Sequence, residues 1–197
     1  MSKTKFLIDN GHGGILNGIP QTAGKRSLDF GEGILYEGVI NRIIAKKVIE
    51  LCKRANIDVV ELVPEVIDIS LAERVKRANK YPEAILISIH SNAAADENAN
   101  GWEIFSTVGQ NNSDQVAEVI FQEFKEAFPK AKFRTDTADG DSDKEVDFFL
   151  IKKTVCRAVL LENFFFTNKK EYKLLMSEKG QNQIAEAIFE AIKKLNK

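Results

Sequence analysis

Residues 84–92 have the sequence AILISIHSN, an apolar run that leads directly into a histidine. Such a run is typical of a strand buried on both faces, as in a mostly parallel sheet covered by helices. Residues 6–8 end in the same way at Asp9, and residues 155–161 end at Glu162. We therefore predict a layered α/β fold in which polar side chains gather at the carboxyl ends of the strands, where such sheets usually bind ligands.

The segments between these runs alternate between helical and extended patterns. Apolar residues recur every three or four positions, as in amphipathic helices, in residues 37–56, 113–128 and 178–196. Ser70, with Glu73 three residues later, predicts a further helix that begins with a capping box. Further extended patterns occupy residues 57–63, 102–105 and 148–151. Because no repeat or linker-like stretch interrupts this order, we predict one domain over residues 1–197, a twisted, mostly parallel sheet with helices on both faces.

Composition excludes several classes of function. The 197 residues are 44% hydrophobic and carry a formal net charge of -1, so the chain lacks the basic surface of a nucleic-acid or anionic-membrane binder. No apolar run approaches the roughly 20 residues that span a bilayer, and no secretory signal is visible, so we expect synthesis in the cytoplasm without membrane insertion. The two cysteines, Cys52 and Cys156, are predicted to be reduced and packed. The acidic residues 135–147 lack calcium-loop spacing and are predicted to form a solvated loop, which could border a substrate groove.

The chain contains two histidines, and each lies at or just past the end of a predicted strand. His12 lies in the segment DNGHGG, at the start of the long glycine-rich loop of residues 11–36, and His90 follows the apolar run of residues 84–89. A single histidine is more often structural than catalytic, but two in equivalent positions favour a metal site. A catalytic zinc commonly takes three protein ligands and leaves a fourth position for water.

Carboxylates compete for the remaining roles in such a site. Glu37 opens an amphipathic helix directly after the loop and could complete the ligand set, with Glu32 as the alternative. A glutamate at the start of a helix is also favoured by the helix dipole alone. Glu162 ends a strongly apolar strand, where burial should raise its pKa and suit it to act as a general base. A salt-bridged structural role for Glu162 is equally compatible with the sequence.

Five segments occur in an order that closely resembles one enzyme family. They are residues 7–14 with His12, Glu37 with Asn41 and Ala45, Ser70–Leu71 with Arg74, Ala78 and Asn79, residues 88–93 with His90, and Glu162 with Phe165 and Asn168. This set resembles the zinc-dependent N-acetylmuramoyl-L-alanine amidases of the amidase 3 family, from about residue 4 to the final helix. The spacing of Glu37, Asn41 and Ala45 matches the family helix, which favours Glu37 over Glu32.

The resemblance implies a function and a set of roles. His12, Glu37 and His90 would bind Zn²⁺, and Glu162 would act as general base and then as proton donor. The substrate would be peptidoglycan, cleaved at the amide between N-acetylmuramic acid and the first L-alanine of the stem peptide. A phage-type lytic enzyme fits, held in the cytoplasm until release and then acting on the cell wall, and we expect a monomer. The alternatives are a zinc peptidase acting on another amide and a peptidoglycan-binding module without activity.

Three positions depart from the family pattern. Asn10 stands where the family commonly has proline, Phe164 where a glycine often follows the catalytic glutamate, and residues 62–68 lack a common arginine. None of them removes a ligand, but each bears on the shape of the groove. Candidates for contacting the substrate are Arg134, Lys152 and Trp102, although Trp102 is better explained as a core aromatic.

Overall fold

The computed structural model describes residues 4–109, 111–137 and 140–196. Its strands are β1 (Phe6–Asn10), β2 (Ile15–Leu16), β3 (Ile19–Pro20), β4 (Val59–Glu61), β5 (Ile85–Asn92), β6 (Glu103–Ser106), β7 (Lys144–Glu145) and β8 (Arg157–Phe165). Its helices are α1 (Glu37–Arg54), α2 (Leu71–Ala78), α3 (Asn112–Ala127), α4 (Phe149–Lys153), α5 (Lys169–Met176) and α6 (Glu178–Leu195).

The main sheet has the order β4-β1-β5-β8-β6-β7 within the described ranges. Strands β4, β1, β5 and β8 are parallel, β6 runs antiparallel to β8, and β7 is parallel to β6. The two most apolar segments, β5 and β8, are neighbours in the middle of this sheet because both of their faces must be covered. The predicted twisted, mostly parallel α/β sheet is confirmed.

Each face of the sheet packs against its own layer of helices. Ile87 and Leu161 belong to a core shared with α1, α3 and α6, whereas Leu86 and Leu160 belong to a core shared with α2 and α4. Side chains along a strand alternate between faces, so His90 and Glu162 lie on the α2–α4 side. This thinner layer leaves the strand ends open to the surface.

Several predicted elements differ in the structure. The prediction of a strand at residues 148–151 is wrong, because Phe148 is the N-cap of the short helix α4 and residues 149–151 form its first part. A short apolar run lacks a periodicity that separates helix from strand. Helix α5 and the β2–β3 hairpin inside the glycine-rich loop were not predicted. Strand β8 continues to Phe165, so Glu162 lies within it and not at its end.

Two expectations about buried groups can also be compared with the structure. The thiols of Cys52 and Cys156 are buried and unbonded, as predicted, and burial raises their pKa to about 12 and about 11. The prediction that residues 135–147 form a solvated loop is only partly correct. Asp143 is 2% exposed, and strand β7 follows it directly. Residues 138 and 139 of that loop lie outside the described residues.

None of the helices in the described part of the chain is both long enough and apolar enough to cross a membrane.

Candidate metal centre

Three side chains from different elements converge at the carboxyl end of the sheet. His12 lies two residues beyond β1, His90 lies in β5, and Glu37 is the first residue of α1. Glu37 Oε2 lies 3.3 Å from His12 Nε2, and Glu37 Oε1 lies 3.1 Å from His90 Nδ1. The three residues can each offer a ligand atom such that all three atoms lie within 4.8 Å of one another. These are the three ligands predicted from the sequence, brought to one point.

The carboxylate of Glu37 is held by its surroundings. It is 2% exposed, and its Oε1 is 3.3 Å from the donor Asn41 Nδ2 and 3.4 Å from the donor Ser91 N. Burial raises the pKa of Glu37, but the hydrogen bonds with His12 and His90 outweigh it and keep the pKa well below its usual range. The carboxyl group is therefore ionised, which is the form in which a carboxylate binds a metal ion. Glu32, the alternative, is exposed and lies outside the cluster.

Glycine makes the close approach of these elements possible. A Cβ on Gly11 would lie 2.1 to 2.4 Å from atoms of the His90 ring, and a Cβ on Gly38 would lie 2.0 Å from Gly13 O. His12, between these glycines, adopts a positive φ of 66°, which aims its ring back over the sheet edge. Thus the DNGHGG turn packs against both β5 and the first turn of α1 through backbone atoms.

Glu162 lies beside the cluster. It is the Cα partner of His90 in the β5–β8 pairing, and both residues line a cavity of about 530 Å³ together with His12. Among the described residues, its Oε2 is buried without a hydrogen-bond partner. Burial, reinforced by the nearby charge of Glu37, raises the pKa of Glu162 well above its usual value. A buried carboxylate that faces a cavity in this way is poised to exchange a proton with a bound molecule.

A buried ion-pair network supports the wall of the cavity next to β1. Arg74 Nη1 donates to Asp9 Oδ1 (2.6 Å) and to Asn10 O (2.8 Å), and its Nη2 lies 3.3 Å from Asp68 Oδ1. Ser88 Oγ donates to the other oxygen of Asp9 at 2.6 Å. These contacts fix the turn that carries His12 relative to β5.

Another part of the cavity lining is apolar and was not predicted from the sequence. Leu71 from the start of α2, and Phe148 and Phe149 from the start of α4, line the cavity while remaining 39% to 51% exposed. Exposed aromatic residues beside a polar centre are a signal of ligand contact. The interpretation of residues 148–151 as a strand hid this signal.

The three candidates for substrate contact do not line the cavity in the described structure. Trp102 is 1% exposed in the core and donates from Nε1 to Asn163 Oδ1 at 3.0 Å, as expected of a core aromatic. Arg134 forms an ion pair with the buried Glu103, and Lys152 forms one with Asp147.

The departures from the family pattern have local explanations. The side-chain nitrogen of Asn10 donates to Val63 O at 3.0 Å. In the same orientation its side-chain oxygen accepts from Arg42 Nη1 (2.7 Å) and Nη2 (2.8 Å). Arg42 of α1 also reaches the segment that lacks the family's arginine, since its Nη1 lies 2.9 Å from Val63 O. Phe164 has a φ of 64°, a conformation that favours glycine, and its ring packs on Phe128.

The donor set fits a zinc ion. Two imidazole nitrogens and one carboxylate oxygen form a common zinc ligand set, and the cavity leaves one side of the cluster open for water or substrate. Asn41 orients the Glu37 carboxylate, because its Nδ2 donates both to Glu37 Oε1 and to Gly11 O.

Comparisons with known proteins point to one enzyme family. A family model described as N-acetylmuramoyl-L-alanine amidase matches residues 6–194. The endolysin of Bacillus phage SPP1 is 26% identical over 195 residues, which are 98% of this chain and 65% of the endolysin. The N-acetylmuramoyl-L-alanine amidase LytC of Bacillus subtilis (strain 168) is 31% identical over 123 residues, 61% of this chain and 23% of LytC. The crystal structure of an N-acetylmuramoyl-L-alanine amidase from Clostridium difficile 630 matches with a TM-score of 0.82 at 28% identity, covering 98% of this chain and 97% of that one.

The chain spans less than two thirds of the length of these two curated relatives, at 65% and 23%. It matches nearly the whole of the solved Clostridium difficile chain.

Proposed function

Because the chain belongs to the N-acetylmuramoyl-L-alanine amidase family, we propose that it hydrolyses the amide between N-acetylmuramic acid and L-alanine in peptidoglycan. His12, Glu37 and His90 would hold a zinc ion, and Glu162 would act as the general base. The observation that carries the proposal is the convergence of these three ligands beside a buried carboxylate that faces the same cavity.

Zinc in such a site polarises a carbonyl oxygen and lowers the pKa of a water molecule. Glu162 takes the proton from the attacking water at a carboxylate oxygen and later delivers it to the nitrogen of the leaving alanine. Its raised pKa supports this double role, since a group that must both accept and donate a proton works best with a pKa near the working pH.

The cavity walls have separate tasks in this proposal. The Arg74 network keeps the His12 turn in position, and Asn41 holds the Glu37 carboxylate toward the histidines. Leu71, Phe148 and Phe149 supply apolar surface that excludes water from one side of the scissile bond.

Similarity to a phage endolysin supports action on the bacterial cell wall. The monomeric state stays a prediction, which light scattering on the purified protein would test. A zinc peptidase and an inactive peptidoglycan-binding module are the outcomes that the following experiment separates from the proposed amidase.

The test combines elemental analysis with an assay for newly freed alanine amino groups from purified peptidoglycan. We expect about one zinc per chain and amine release by the wild type. Glu162→Gln should keep zinc and lose amine release, whereas Glu37→Gln should lose both. The matched control is Glu32→Gln, which makes the same change at an exposed glutamate outside the cluster and should behave as wild type.

Two results would exclude the amidase. Cleavage of free stem peptide but not of muropeptide would establish a peptidase. Binding of peptidoglycan without amine release by the zinc-loaded wild type would establish a binding module.

A further inference from the structure

The charged groups that line the cavity differ in whether another side chain already neutralises them. The Arg74 guanidinium lies against Asp9 and Asp68, and Asp68 also accepts from Thr22 Oγ1 at 2.6 Å. The histidines share the Glu37 carboxylate. All of these charges are therefore used within the protein.

Among the cationic side chains of the described residues that line the cavity, Lys25 differs from Arg74. It lines the same cavity, yet its ammonium makes no ion pair or side-chain hydrogen bond within the described ranges. A lysine near a centre that contains Glu37 and Glu162 would be expected to pair with one of them if its position allowed it. Instead its charge acts on Glu162 only through space, where it works against the rise in the pKa of that carboxyl.

The backbone of Lys25 is nevertheless fixed to the centre. Lys25 O accepts from Glu37 N at 2.9 Å, and the next residue, Arg26, forms an antiparallel bridge with Tyr36. Lys25 N also donates to Thr22 O at 3.1 Å. The base of the side chain is thus tied to the backbone of Glu37, and the exposed side chain extends from this fixed point along the cavity.

We infer that Lys25 binds a substrate carboxylate next to the scissile amide and makes the enzyme selective for anionic stem peptides. The inference rests on the proposed amidase function. The second residue of the stem is a D-glutamyl group linked through its side chain, so its α-carboxyl is either free and negative or amidated and neutral. This group lies one residue beyond the alanine, about 3.5 Å further along an extended chain, within the reach of a lysine that lines the cavity.

The test uses two synthetic substrates, N-acetylmuramoyl-L-alanyl-γ-D-glutamyl-L-lysine and its counterpart in which the α-carboxyl of the D-glutamyl residue is a carboxamide. We expect the wild type to prefer the acid by about three- to tenfold in kcat/KM, the range for a charge-assisted contact that is partly open to solvent. The preference should appear in KM, because the carboxylate takes no part in bond breaking. Lys25→Gln should bring the two substrates within about twofold of each other, and Lys25→Glu should favour the amidated one.

The matched control is Lys53→Gln, which removes the same charge at the opposite end of α1 and should keep the wild-type preference. Equal losses of kcat on both substrates with Lys25→Gln would overturn the inference, because Lys25 would then stabilise charge at the reacting carbonyl. A wild type that cleaves both substrates equally well would also overturn it while leaving the amidase function intact. Failure to cleave either substrate would defeat the proposed function, and the inference with it.

Discussion

Replacing Gly38 by alanine should damage the metal centre, although alanine normally strengthens a helix. Gly38 is the second residue of α1, next to the proposed ligand Glu37. Alanine in a helix interior is favoured over glycine by about 1 kcal/mol. Here its Cβ would lie 2.0 Å from Gly13 O, 2.8 Å from Gly13 C and 3.1 Å from His12 C, all of them backbone atoms.

The size of the effect follows from these distances. Ordinary van der Waals contact begins near 3.4 Å, so the start of α1 and the His12 turn must separate by about 1.4 Å. Zinc ligation tolerates about 0.2 Å of error in ligand distance, and the two segments carry Glu37 and His12. We expect zinc affinity to fall by about 10- to 100-fold and the apo protein to lose up to about 2 kcal/mol of stability after the gain in helix propensity is subtracted.

Zinc affinity is measured by titration against a competing chelator, and the stability of the apo protein by calorimetry. Gly24→Ala is the control, because no described atom lies within 4 Å of its added Cβ and its backbone needs no positive φ. If Gly38→Ala raised the melting temperature and kept zinc affinity, the close packing of α1 on the His12 turn would be refuted.

Three further predictions concern stability. Asp143→Asn should increase the free energy of unfolding by up to about 3 kcal/mol at pH 7–8 and by almost nothing at pH 4. Burial and the nearby Asp141 raise the pKa of Asp143 from 3.8 to about 6, so folding favours the protonated form and the stability of the wild type falls as the pH rises through that range. Melting curves at both pH values check this, and an equal shift at both would contradict it. Removing zinc with a chelator should lower the melting temperature by about 5–10 °C for a zinc concentration 100-fold above Kd, and an unchanged calorimetric transition would mean that no metal binds the folded state. Asn163→Ala should lower the free energy of unfolding in urea by about 2–4 kcal/mol, because Asn163 Oδ1 accepts from Trp102 Nε1 at 3.0 Å and its Nδ2 donates to His90 O at 2.9 Å. A loss below about 0.5 kcal/mol would show that these groups find other partners.

Local sequence predicted the histidine positions well. An apolar run that ends at a polar side chain predicts where a buried strand reaches the edge of a sheet, and β1 and β5 place His12 and His90 there. Parallel pairing of these strands, in which Asp9 lies opposite Ser88, then brings the two ends together. Only short-range patterns are needed for this conclusion.

The choice of the third ligand had a different basis. Glu32 and Glu37 are residues of the same type only five positions apart, and the family spacing distinguished them where local sequence patterns did not. In the structure the difference comes from Gly38, whose missing side chain lets α1 dock on the Gly13 backbone and bury the Glu37 carboxylate. Docking of one element on another is a long-range property that periodicity does not encode.

The sequence by itself therefore determined the α/β architecture, the strand ends near the histidines and the Ser70 cap of α2, because these depend on burial patterns and neighbouring residues. Tertiary structure alone decided that residues 149–153 form a helix with aromatic residues at the cavity and that Phe164 takes a glycine-like φ. It also decided that Lys25 lines the cavity without an ion-pair partner among the described residues. Each of these depends on which distant segments pack together, and the free energy of that packing outweighs local preference.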